Sequence, residues 1–258
     1  MAVIQVEENW TQKPVDRRIF GNFIESGFGR QVNGMWSEML YNRAFRDVPA
    51  IKIATWEWLG LDKEHYNSEA PFWHSGYEEN DWQLIGAPER SHTCGTHTHK
   101  GTTSLLLENR DGGECGLKQE GLHLKKGKKY RFRLFAGIRG DMSEAGLNGF
   151  GDTIHTEEEE KLTVKIGKQQ TCFSLTSVPR LYEWEWEARE DEITDIRITF
   201  TFRGTLVLAF ASLMPDDNLG GWRADVVEKL KEASPSVVRF PGGCFVSFYN
   251  WESSIGDR

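Results

Sequence analysis

Cysteine is scarce in this chain: four residues (Cys94, Cys115, Cys172, Cys244) among 258. They are too few and too scattered for a disulfide scaffold, so free thiols in a reducing compartment are expected. Long apolar runs are missing too. None approaches the ~18–20 residues a membrane helix needs. The opening Met1-Ala2-Val3-Ile4-Gln5-Val6-Glu7-Glu8 has neither a basic flank nor an apolar stretch; no signal peptide is visible, and a cytoplasmic location is expected. Nor is there a basic excess. Lys plus Arg is 31 against 39 for Asp plus Glu, a formal charge of −8, which argues against a protein built to grip nucleic acid. Apolar residues are not lacking: they make up 38% of the chain, with ten Trp and fifteen Phe. A substantial core can be buried, and a folded chain is expected.

Three zones differ in texture. In residues 1–45, segments 3–6 and 18–24 read as short strands, Gly27, Gly29 and Gly34 break the chain, and Met35, Trp36, Met39 and Leu40 recur at helical spacing. That spacing predicts a short helix ending near Asn42. Residues 46–215 consist of short alternating runs between Gly, Asn, Asp and Lys-Gly turns: 103–108, 129–137, 161–166, 171–175, 183–187, 193–202 and 205–214. Tyr130-Arg131-Phe132-Arg133-Leu134-Phe135 has period two, one face apolar and the other wet. Many short antiparallel strands with turn chemistry between them predict a sandwich or jelly roll. In residues 216–258 helical periodicity returns. Asp217 or Asn218 is the expected cap of a helix with Trp222, Val226, Leu230 and Ala233 on its apolar face. Pro235 stops it, and 236–240 follows as an apolar strand closed by Pro241-Gly242-Gly243. The outer zones read as α/β and the middle as β, so one α/β domain interrupted by an inserted sandwich is the economical arrangement.

If the outer zones begin a (β/α) barrel, functional groups belong just after the strands, on the carboxyl-terminal rim. Glu25 ends the first strand; Cys244, Asn250, Trp251 and Glu252 follow the strand that carries Arg239. A carboxylate there can accept hydrogen bonds from sugar hydroxyls through both oxygens, although Glu25 alone reads equally well as a solvated strand-end acid. Gly242-Gly243 lacks the Gly-Lys-Ser/Thr ending of a phosphate loop. His92, Cys94, His97 and His99 offer metal-ligand types in a tight span, but alternate residues on a strand or loop do not all converge on one ion. A solvated loop is expected, with no metal and no cofactor. Trp184 and Trp186 share one strand face, which is more often core than sugar platform. Among Trp56, Trp58, Trp73 and Trp82, a sugar-stacking ring cannot be singled out.

Two stretches carry a resemblance. Phe20-Gly21-Asn22-Phe23-Ile24-Glu25, then Asn33-Gly34-Met35-Trp36-Ser37-Glu38-Met39-Leu40-Tyr41-Asn42-Arg43-Ala44-Phe45, resembles the opening of the α-L-arabinofuranosidases of glycoside hydrolase family fifty-one. Arg239-Phe240-Pro241-Gly242-Gly243-Cys244-Phe245-Val246-Ser247, continuing to Tyr249-Asn250-Trp251-Glu252, is similar to that family's second strand and rim loop. The middle zone resembles the carbohydrate-binding-type jelly roll many members carry between those strands, down to its exit at Leu213-Met214-Pro215. The resemblance implies a mainly β chain with an α/β part: a jelly roll (46–215) inserted between the first two β/α units (1–45 and 216–258) of an incomplete (β/α)8 barrel.

It also implies a retaining glycosidase with two glutamates ~5 Å apart, both on later barrel strands beyond Arg258. No catalytic residue is therefore expected within the chain. The arithmetic agrees: removing the sandwich leaves about ninety residues, while a full barrel takes roughly 250. Carried over residue by residue, Glu25 matches the glutamate that bonds the arabinose, and Arg239 the arginine bracing the pocket floor. Cys244 falls at a small pocket residue, and Asn250 and Trp251 frame the pocket. Phe248 where Gly is usual, Ser253-Ser254 in place of Asp-Gly, and Asp257 in place of Pro depart from the pattern on the rim loop. The expected partners are an arabinose-containing oligo- or polysaccharide and either the missing catalytic portion or a second copy of the chain. The alternative is a stand-alone carbohydrate-binding or protein-interaction module.

Overall fold

The computed structural model describes residues 14–24, 34–45, 82–86, 104–139 and 159–242, and the backbone of 90–94. Most of it is β-sheet. Two five-stranded antiparallel sheets face each other. One has the order β2 (Gln83–Ile85), β5 (Cys115–Leu124), β10 (Glu192–Phe200), β7 (Glu160–Ile166), β8 (Gln169–Leu175); the other has β3 (Arg90–Cys94), β4 (Ser104–Asn109), β11 (Gly204–Pro215), β6 (Lys129–Arg139), β9 (Arg180–Glu187). Alternation builds them. Along β6, Tyr130, Phe132 and Leu134 are buried while Lys129 and Arg131 face water, so one pleat face closes the core and the other is solvated. Leu105, Leu107, Leu117, Leu162, Ile196, Ile198 and Leu206 fill the space between the sheets with no exposed surface.

The expected sandwich is thus present, with most strands within two or three residues of their sequence-read positions. Three strands, β2, β3 and β5, have no counterpart among the runs read from the sequence. β11 is a special case, buried on nearly every residue from Gly204 to Leu213. An inner strand of a sandwich ordinarily has one wet face; here Glu38 and Arg43 of the amino-terminal segment 37–45 lie against Ser212 and Phe210 on the outer face. That segment also takes over a sheet edge. β4 pairs with β11 only from Gly204 to Leu208, and beyond it Met39 N bonds Leu213 O at 2.9 Å while Ala211 N bonds Arg43 O at 2.8 Å.

These bonds explain one correction. The helix expected to run to Asn42 does not form: helical backbone reaches only Met35, and Trp36 enters an isolated bridge with Trp222. Leu40 and Phe45 are instead drawn into the sandwich core, and Asn42 and Phe45 take positive φ of 46° and 53°. A sheet edge offering ready partners outcompetes local periodicity.

Outside the sandwich, β1 (Asn22–Phe23) and β12 (Val238–Arg239) pair in parallel, Asn22 opposite Val238 and Phe23 opposite Arg239. Each strand is shorter than its apolar run suggests. Asp16 caps a 3-10 turn over Arg17–Phe20, accepting from Arg18 N at 2.9 Å, so the expected strand over 18–24 shrinks to two residues. Gly21 leaves β12 room to approach, since a Cβ there would run into the Val237 side chain. Helix α1 (Ala224–Ala233) precedes β12. Neither expected cap serves it: the residue before it is Arg223, which makes no side-chain cap bond. Asn218 instead closes a tight turn, accepting from Gly221 N at 2.7 Å, and Asp217 pairs with Lys128 at 2.7 Å. Trp222 lies ahead of the helix, its ring edge-on to Trp36 at 5.5 Å. A Cβ on Gly221 would strike that Trp36 ring. The helix does stop at Ser234-Pro235, with Ser234 left-handed and bonded to Leu230 O and Lys231 O. Parallel strands on either side of a helix form one β/α crossover; a closed barrel is not among the described residues.

Candidate functional site

Of the five residues expected to hold substrate, Arg239 is described. It is exposed on β12 opposite Phe23, and its carbonyl accepts from Ile24 N at 2.8 Å. Glu25, Cys244, Asn250 and Trp251 lie outside the described residues. Parallel pairing sends the carboxyl ends of both strands the same way. In sequence, Glu25 is the next residue after Ile24, and Cys244 comes two after Gly242. Around this pair Ile19, Phe20, Phe23, Val237, Val238 and Phe240 remain between 43% and 66% exposed.

A heavily bonded acid lies elsewhere and was missed in the sequence. Glu38 is buried on the outer face of the second sheet. Its Oε1 accepts from Leu40 N at 3.1 Å and Leu213 N at 2.8 Å, and its Oε2 accepts from the Ser212 hydroxyl at 2.6 Å. Arg43 stands 3.9 Å away, its guanidinium over the Phe210 ring. Burial pushes the Glu38 carboxyl above its ordinary value; the Arg43 charge, then the hydrogen bonds, pull it partly back. All of these partners belong to the scaffold, so Glu38 fastens segment 37–45 to β11 rather than facing a reactant. The available signal was a lone charge amid Met35, Trp36, Met39 and Leu40.

The other candidates divide clearly. Trp82 is 2% exposed, meets Phe45 at 5.1 Å between ring centroids and donates from Nε1 to Asn42 O; it is core. Trp56, Trp58 and Trp73 lie outside the described residues. Trp184 and Trp186 pack against the core from the edge strand β9, and both stay half-buried. Their rings stack at 4.2 Å, and Trp186 stacks on Tyr130 at 5.7 Å. His92 and Cys94 stand on β3 opposite Leu106 and Ser104; His97 and His99 lie outside the described residues. Among the described residues no three His, Cys, Asp or Glu side chains converge as a metal site would require.

With this geometry in view, similarity to known proteins is informative. The chain is homologous over nearly its full length to plant α-L-arabinofuranosidases. Alpha-L-arabinofuranosidase 1 and Alpha-L-arabinofuranosidase 2 of Arabidopsis thaliana are each 23% identical over 99% of it, which is 36% and 37% of their own lengths. The chain therefore spans a little over a third of the curated relatives it matches. A 44-residue stretch is 46% identical to the exo-alpha-(1->6)-L-arabinofuranosidase of Bifidobacterium longum, covering 17% of this chain and 8% of that enzyme. No family model matches. Similar solved structures include a xylan-binding domain from Paenibacillus barcinonensis (12% identity, TM-score 0.36, 52% of this chain and 85% of that one). Another is the amino-terminal cellulose-binding domain of a Cellulomonas fimi β-1,4-glucanase (17% identity, TM-score 0.35, 55% and 94%).

Proposed function

We propose that this chain is the amino-terminal portion of a retaining glycoside hydrolase of family fifty-one acting on α-L-arabinofuranosides, such as the side chains of arabinoxylan or arabinan. The observation that carries the reading is the parallel pairing of Asn22–Phe23 with Val238–Arg239. It joins the two ends of a long insertion into one β/α crossover, the arrangement in which a barrel's first two strands lie side by side. Homology to arabinofuranosidases along 99% of the chain supports the same assignment. In this reading residues 1–45 and 216–258 supply the first barrel strands and helix, and 46–215 is the inserted sandwich. Glu25 and Arg239 hold the arabinose at the strand ends, with Cys244, Asn250 and Trp251 framing the pocket.

Exposed apolar side chains on both strands support a further polypeptide as partner. Parallel sheets are ordinarily covered on both faces, and among the described residues neither outer edge of this two-stranded one is paired. More strands and helices of the same barrel, or a second copy of the chain, would cover them. Retention needs two carboxyl groups ~5 Å apart, one attacking and one exchanging protons, and the positions for both fall on later strands. The chain alone is then inert. Incubating it with an aryl α-L-arabinofuranoside should release no aryl alcohol above the blank, and turnover that follows the protein through purification would overturn the proposal.

A further inference from the structure

β8 and β9 are consecutive in the chain but belong to opposite sheets, each at its edge. The chain between them forms an arch that spans the gap between the sheets. Near its closed end Phe173 meets Tyr182 at 5.2 Å between centroids, and the Tyr182 hydroxyl donates to Ser174 O at 3.0 Å. By the alternation of each strand, the next inner-facing positions are Thr171 and Gln169 on β8, and Trp184 and Trp186 on β9. Register fixes this: Thr171 and Gln169 pair with Val164 and Ile166, while Trp184 and Trp186 pair with Phe132 and Tyr130, all four partners being buried. Inner residues one strand further in are sealed; Gln169, Thr171, Trp184 and Trp186 are each partly open to water. Two adjacent tryptophans are a costly way to finish a sandwich edge. Trp186 also turns its Nε1 inward, where among the described residues it finds no partner. A phenylalanine would fill the same interior without that loss.

We propose that the open side of this arch is a binding slot for a neutral saccharide. Sugar rings lie against the Trp184–Trp186 stack, and Gln169 and Thr171 exchange hydrogen bonds with their hydroxyls. The stack is pre-set, because Tyr130 backs Trp186 and Trp186 backs Trp184, so little side-chain freedom is lost on binding. Neutrality follows from the four positions of the slot itself, an amide, a hydroxyl and two indoles. The Arg180 guanidinium on the same face of β9 lies at the closed end, over the Tyr182 ring and donating to the Tyr182 hydroxyl at 3.0 Å and to Ser174 O at 3.3 Å. A protein β-strand is the poorer occupant of this edge. Glu183, Glu185 and Glu187 alternate along β9 on its other face, and charge repeated on an edge strand blocks strand addition.

The assignment deepens the proposed function and rests on it only for the choice of arabinoxylan as probe. Native gels cast with soluble arabinoxylan should retard the chain. Trp184→Ala should weaken that retardation at least tenfold, and the double change Gln169→Ala/Thr171→Ala, which leaves the aromatic packing intact, should weaken it severalfold. Absence of retardation by arabinoxylan, xylan and β-glucan alike overturns the slot. So does retardation unchanged in both variants, or stronger retardation by polygalacturonate, an acidic chain. The two proposals fail separately: turnover of an aryl arabinofuranoside by the chain removes the account of missing carboxylates, whereas an unretarded wild type removes only the slot.

Discussion

The Glu38 carboxylate accepts a 2.6 Å hydrogen bond from the Ser212 hydroxyl across the outer face of a sheet, joining the amino-terminal segment to the last sandwich strand. The same side chain takes the backbone N–H groups of Leu40 and Leu213. One buried carboxylate therefore gathers three donors and a nearby guanidinium where the chain enters and leaves the sandwich.

Removing it exposes the cost of those donors. Glu38→Ala leaves two backbone N–H groups and a hydroxyl unsatisfied in a dry site, and should lower unfolding free energy by about 2–4 kcal/mol. Glu38→Gln keeps an acceptor for both N–H groups and should cost about 1 kcal/mol or less. Urea unfolding followed by tryptophan fluorescence separates the two; equal losses would show that shape rather than hydrogen bonding holds the segment.

The same residue makes stability depend on pH. Burial raises the Glu38 carboxyl in the folded state, so the folded chain holds this proton at a pH where the unfolded chain has released it. Its contribution is fully present below the unfolded glutamate value of about 4.3 and is lost as pH rises through the raised folded value. The stability of the wild type relative to Glu38→Gln should therefore be greatest near pH 4 and shrink on going to neutral pH. Subtracting the variant cancels the other carboxylates. A difference that grows with pH would mean that Arg43 and the hydrogen bonds outweigh burial.

Segment 37–45 should also be needed for the sandwich to fold. Leu40 and Phe45 are 5% and 0% exposed within its core, and losing each removes about 1.5–3 kcal/mol of burial. Their loss also strips the edge of β11 beyond Leu208. A fragment of residues 46–215 should show weak near-ultraviolet circular dichroism and a broad thermal transition, whereas 34–223 should unfold cooperatively. Equal cooperativity in the two fragments would show that the segment is a passive cover.

Strands with strict alternation were readable in advance because their pattern and their burial have a common cause: the runs around Tyr130–Leu134 and Ile196–Phe200 can bury one face only as a half-covered sheet. The crossover's helix and its stop at Ser234-Pro235 were readable for the same local reason. Less was visible where a residue's role depends on a distant partner. Asn218 and Asp217 carry side chains suited to capping, yet a turn to Gly221 and an ion pair with Lys128 claim them. Glu38 finds two of its three donors at Ser212 and Leu213, far along the chain.

By itself, the sequence determined that this is a mainly β protein with α/β ends, that its aromatic residues suffice for a core, and that it resembles an arabinofuranosidase family. Those properties follow from composition, period and order, which every segment carries wherever it ends up. Tertiary structure alone decided that residues 37–45 abandon helical spacing for the edge of β11, that Glu38 is sealed under them, and that Asn22 lies beside Val238. Hydrogen-bond donors and acceptors on a sheet edge are indifferent to distance along the chain, so which segment satisfies them is settled only when the whole chain has folded around them.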